Sequence, residues 1–135
     1  MGNVEKLRVA YQRWHDSGGT SVSTWLDLSA DDIAVRSAAD GSPGLEYSAP
    51  ATGRADLERF LTAITKDWEM LHFTPDDFIA EGDRVVMVGR CGWRHKGTGK
   101  AVESPVVHVW RFRDGKVTEM LELYDTARAV AAATV

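Results

Sequence analysis

Val106-Val107-His108-Val109-Trp110-Arg111-Phe112-Arg113-Asp114-Gly115-Lys116-Val117-Thr118-Glu119-Met120-Leu121-Glu122-Leu123-Tyr124-Asp125 carries large apolar side chains at alternate positions on both sides of Asp114-Gly115. That spacing is the period of a strand, and Asp-Gly accepts the positive φ angles of a two-residue hairpin turn. It predicts two antiparallel strands, 102–113 and 116–124, joined at Arg113-Asp114-Gly115-Lys116. The same alternation predicts strands over 70–81 and 84–93. Glu81-Gly82-Asp83 separates them, and Lys96-Gly97-Thr98-Gly99 leads into the hairpin.

Upstream of residue 68 the period changes to that of a helix. Val4, Leu7, Tyr11 and Trp14 predict an amphipathic helix over 4–15, stopped by Ser17-Gly18-Gly19. Val22, Trp25, Leu26 and Leu28 predict a second helix starting near Ser21 or Ser23, with Ile33-Ala34-Val35 after it as a short first strand. Asp31-Asp32 reads as a local cap and turn. Leu57, Phe60, Leu61, Ile64 and Trp68 form the stripe of a third helix that begins near Thr52 or Gly53. The stretch 38–53 is loop-like, and the Ala-rich tail 127–135 reads as a frayed or helical end. Helices first and a meander afterwards give an α+β domain with the helices on one face of the sheet.

With 135 residues, the chain is expected to be one domain, 1–135, able to bury a core without metal or disulfide staples. Hydrophobic residues make up 44 % and charged residues 27 %, which excludes disorder, while a net charge of -4 argues against a phosphate-backbone partner. The single cysteine, Cys91, excludes an intrachain disulfide and a multi-cysteine zinc site. Early charged residues and the lack of a long apolar run lead us to expect a cytoplasmic protein with no membrane partner. No metal site is expected, because His15, His72 and His95 lack ligand spacing. Gly97-Thr98-Gly99-Lys100 joins two strands and opens no helix, so it does not form a phosphate loop.

Candidate chemistry gathers on the two hairpin strands. His108 shares a face with Val106, Trp110 and Phe112, and an imidazole exchanges protons near neutral pH. Glu122 lies between Met120 and Tyr124, and a carboxylate on an apolar face is costly unless it is paired, hydrated or used. Register links the two. A plain two-residue turn sets His108 opposite Leu121, whereas one extra residue sets it opposite Glu122. We therefore expect a bulge or a three-residue loop at the Arg113 to Lys116 turn, with His108 and Glu122 paired across the strands. The opposite face carries Val107, Val109, Val117, Leu121 and Leu123. Three helices cannot cover it as well, which predicts a homodimer.

The order of elements resembles the nuclear transport factor 2 superfamily, in its SnoaL-like and ketosteroid-isomerase-like branch. The residues that carry the resemblance are Leu28-Ser29-Ala30-Asp31-Asp32-Ile33, Thr52-Gly53-Arg54-Ala55-Asp56-Leu57 and His108 to Val117 continuing through Glu122-Leu123-Tyr124-Asp125. The resemblance spans roughly residues 3–126. It implies a cone-shaped fold of three N-terminal helices on a curved, mainly antiparallel sheet that encloses an apolar pocket, with the convex face forming the dimer. It also implies that Tyr11 stands where ketosteroid isomerases carry an oxyanion-hole tyrosine, and His108 where they carry an acidic partner. Ser37 occupies the position of their general base, so steroid isomerase chemistry is not expected. Glu122 corresponds to one catalytic acid of limonene epoxide hydrolases, whose Arg-x-Asp companion reduces here to Arg90-Cys91-Gly92.

Three functions remain open from the sequence. One is a cofactor-free acid/base enzyme of isomerase, cyclase or hydrolase type acting on a small hydrophobic molecule. Its catalytic candidates are His108, Glu122 and Tyr11, with Trp110, Tyr124, Trp14 and Met120 contacting the ligand. The second is a non-catalytic protein that binds such a molecule. The third is a dimerisation module with a vestigial pocket.

Overall fold

The computed structural model describes residues 1–135. The period-two segments pair into one six-stranded sheet in the order β2-β1-β6-β5-β4-β3. Its strands are β1 (Ser29–Ser37), β2 (Ala51–Thr52), β3 (Trp68–Glu81), β4 (Arg84–His95), β5 (Ala101–Arg113) and β6 (Lys116–Tyr124). Only β1 and β6 run parallel; the other neighbours are antiparallel. Helices α1 (Asn3–Asp16), α2 (Val22–Leu28) and α3 (Arg54–Asp67) precede the long strands, and α4 (Thr126–Ala133) follows them. None of these helices is long and apolar enough to cross a membrane.

The hairpin between β5 and β6 fixes which side chains face the core. Asp114 and Gly115 have φ values of 51° and 78°, so both loop residues are left-handed. Arg113 pairs with Lys116 and Phe112 with Val117, but Arg111 then pairs with Glu119. Thr118 is the extra residue, and its hydroxyl donates to the Arg111 carbonyl at 3.3 Å. The bulge resets the alternation, so Val117 and Met120 are both buried although three positions apart. Val117 therefore belongs to the core and not to the outer face expected for it.

Two other local readings change. Residues 31 and 32 do not end an element: β1 runs through them, and Asp32 accepts two hydrogen bonds from Arg113 at 3.1 and 2.8 Å. These bonds hold the Asp32 carboxyl below its usual range. The stretch 38–53 is packed down, with Leu45 and Ser48 fully buried around a 3₁₀ turn at Glu46–Ser48. The Ala-rich tail becomes α4. Asp125 caps it by accepting from the Arg128 N–H at 3.0 Å, and the Thr98 hydroxyl donates to the Ala132 carbonyl near its end at 2.5 Å. Ala129 and Ala132 pack against the rest of the domain. The helices thus cover one sheet face, and between them and the strands lies the cavity.

Candidate functional site

Side chains from α1, α2, α3, α4, the 3₁₀ turn and every strand except β2 line this cavity; 21 of its 26 lining residues are hydrophobic. Its volume is about 90 Å³. That is room for several waters, though below the roughly 150 Å³ of a cavity that takes up benzene. His108, Glu122 and Tyr11 all reach it, as do Trp110, Tyr124, Trp14 and Met120.

The bulge at Thr118 brings His108 directly opposite Glu122. Their side chains are only 7 % and 14 % exposed, and Nε2 of His108 lies 2.9 Å from Oε2 of Glu122. On its other side, Nδ1 lies 2.5 Å from the Tyr11 hydroxyl, which accepts the indole N–H of Trp110 at 2.8 Å. The donor inventory gives this chain a direction. An indole nitrogen can only donate, so the single tyrosine hydrogen is free to go to Nδ1. The imidazole then carries its own hydrogen on Nε2 and donates it to Glu122. The run Trp110 to Tyr11 to His108 to Glu122 ends on a carboxylate at the cavity wall.

Around that carboxylate sits a second polar group. Ser37 pairs with Glu122 across β1 and β6, and its hydroxyl makes a long 3.4 Å contact with Oε1. The Tyr47 and Tyr124 hydroxyls lie 3.0 Å apart. Burial, reinforced by the negative field of Glu122, pushes Tyr124 up to about 12 and Tyr47 well above an ordinary phenol. The same two causes push the Cys91 thiol up to about 12. Burial above all raises Tyr11, against the lowering effect of the Trp110 hydrogen bond. Aromatic packing holds this arrangement. Tyr11 stacks on Phe73 and His108 at 5.7 Å, and Trp25 stacks on Trp110 at 5.3 Å. The indole N–H groups of Trp25 and Trp68, both in the wall, have no hydrogen-bond partner.

With this geometry in view, the whole chain can be set beside known proteins. The family model for the SnoaL-like domain matches residues 5–120. The chain belongs to the SnoaL-like domain family. Among solved structures, this SnoaL-like domain is similar to an NTF2-like protein of unknown function from Burkholderia pseudomallei. The two share 25 % identity over 100 % of both chains, with a TM-score of 0.88. An NTF2-like protein from Burkholderia xenovorans is 26 % identical, over 98 % of this chain and 95 % of its own, with a TM-score of 0.82. TerC, crystallised with polyporic acid, is 25 % identical over 97 % of each chain, with a TM-score of 0.82. Comparison with curated proteins finds no match.

Within this SnoaL-like domain the sequence-derived candidates do converge, but Tyr47 in the cavity wall and Ser37 behind Glu122 were not among them. Tyr47 arrives from the stretch 38–53, which has no periodicity to orient it; its only signal was a large polar aromatic among small residues. Ser37 stands in the sequence where a general base would be, and its hydroxyl faces the Glu122 carboxylate. Arg90 turns away from the cavity and binds Asp76, leaving Cys91 in the wall.

Proposed function

We propose that this SnoaL-like domain is a cofactor-free acid/base enzyme acting on a small hydrophobic molecule, with Glu122 as the group that takes and returns a proton. One observation carries the reading: the Trp110, Tyr11, His108 chain of hydrogen bonds ends on a carboxylate inside a mostly apolar cavity. A carboxylate kept from water and fixed in orientation is a better proton acceptor than a mobile, hydrated one. His108 holds Oε2 through its Nε2 hydrogen, leaving Oε1, which has only a long contact from the Ser37 hydroxyl, for the substrate. Tyr11 is fully buried with its hydroxyl engaged on both sides, so it acts as a positioning residue. The hydroxyls of Tyr47 and Tyr124 supply a hydrogen for a substrate oxygen on which charge develops. Tyr124 also lines the ligand space with Trp110, Trp14 and Met120.

The second reading, capture of a small hydrophobic ligand without turnover, draws support from the cavity's apolar and aromatic wall. TerC, of similar length and fold, crystallises with an organic small molecule; this favours ligand entry under either reading.

Hydrogen exchange separates the two. The small ketone butanone, dissolved in D₂O with the protein, is followed by NMR for deuterium entering its α-carbons. The native chain should accelerate exchange, and Glu122→Gln should lose about 100-fold or more of that acceleration, the scale of a general base. Binding of the ketone with no acceleration by the native chain would leave ligand capture as the function.

A further inference from the structure

We propose that the cavity selects a small organic cation, a protonated or quaternary amine on a hydrophobic body, with its positive charge beside Glu122. The inference deepens the reading above and rests on it, since it takes Glu122 as the group that meets the ligand.

The charge inventory of the wall carries the argument. No lysine or arginine lines the cavity. The other lining acid, Asp125, is held by Arg128 at 3.1 Å. Glu122 has no such partner. Its two contacts are the Nε2 hydrogen of His108 and the hydroxyl of Ser37. His108 meets Glu122 as the Nε2 hydrogen donor of a ring whose Nδ1 accepts the Tyr11 hydrogen. Adding a proton to Nδ1 would turn that atom from acceptor to donor and leave the Tyr11 hydrogen with nothing to bond. Tyr11 has no exposure to water that could make up the loss.

A carboxylate bonded only by neutral groups keeps an uncompensated charge, and an apolar surrounding makes that charge costly. A cationic ligand removes the cost, because opposite charges attract far more strongly there than in bulk water. The wall adds to this. Trp14, Trp25, Tyr47, Trp110 and Tyr124 all line the cavity, and aromatic rings attract cations through their quadrupoles. The negative field of Glu122 that helps hold protons on Tyr47, Tyr124 and Cys91 would hold a proton on a bound amine in the same way. An anionic ligand meets the reverse of each effect.

Three probes of one shape and different charge test the proposal: choline, 3,3-dimethylbutan-1-ol and 3,3-dimethylbutanoate. Each is titrated into the native chain and followed through backbone and indole N–H resonances. Choline should bind at least about tenfold more tightly than the alcohol, the scale of a partly desolvated cation contact, and the butanoate most weakly. Glu122→Gln should abolish the preference for choline over the alcohol, and Glu122→Asp should retain it. If the alcohol binds as tightly as choline, or the preference survives in Glu122→Gln, the cation proposal is overturned, while the exchange experiment can still establish Glu122 as a base. If none of the three perturbs the cavity resonances up to its solubility limit, the cation proposal falls together with the reading of this cavity as a ligand site.

Discussion

Tyr11 is the side chain on which the site's geometry turns. Its hydroxyl joins the Trp110 indole to the His108 imidazole, and it is fully buried between Phe73 and Trp25. Tyr11→Phe keeps the ring and removes the joint, leaving two buried polar groups unpaired. We expect a loss of about 1–3 kcal/mol in urea-induced unfolding, the cost of unsatisfied buried groups. Unfolding midpoints equal to those of the native chain would show that the hydroxyl contributes nothing. Cys91 gives a complementary expectation. Its thiol is buried and held up to about 12, so it has little thiolate at pH 8. Iodoacetamide should label it quickly only after unfolding; rapid labelling of the folded chain would contradict its burial.

The hairpin between β5 and β6 is the element that makes the site. One residue, Thr118, shifts the pairing so that His108 meets Glu122 and both face the cavity. The turn that begins this register needs Gly115 at φ 78°, and a Cβ there would lie 2.8 Å from the Lys6 ammonium, which donates to the Gly115 carbonyl. Gly115→Val therefore combines backbone strain with the loss of that contact. The left-handed conformation alone costs a residue with a Cβ roughly 1–2 kcal/mol. We expect a clear drop in melting temperature, larger than that of a typical surface substitution. An unchanged melting temperature would mean that the turn relaxes without strain.

For the whole molecule, two consequences concern stability and assembly. The raised phenols and thiol keep their protons in the folded state after the unfolded chain has begun to release its own. The ordinary values are 9.0 for the thiol and 10.0 for the phenols, and Cys91 and Tyr124 rise to about 12. The unfolded state therefore binds fewer protons across this window, and stability falls as pH rises. It should be complete below about pH 9 and decline from there towards pH 12, with Tyr124→Phe making the decline shallower. Urea midpoints measured at both ends of the window check this, and a flat profile would refute it. On the outer sheet face, Leu121 and Leu123 remain 39 % and 40 % exposed beside the half-buried Val107 and Val109. We expect a second copy to cover them, giving twice the chain's mass by light scattering; a mass of one chain would count against it.

Alternation around Asp114-Gly115 and the helical stripes of Leu7, Tyr11, Trp14, Leu57, Phe60 and Leu61 were enough to determine an α+β domain. Buried faces must repeat with the period of the element that bears them. The same alternation gave His108 and Glu122 as inward-facing candidates, but only on condition of an irregular turn. Sequence spacing could not locate that irregularity, since a bulge is selected by what the strands pack against. Tertiary structure put it at Thr118, moved Val117 into the core and continued β1 through Asp32 to reach Arg113. It also decided what surrounds Glu122. Tyr47 comes from a segment with no repeat, and Ser37 from a parallel strand 85 residues away in the chain. Local pattern records which face a residue prefers; which distant groups share that face depends on how the chain closes on itself.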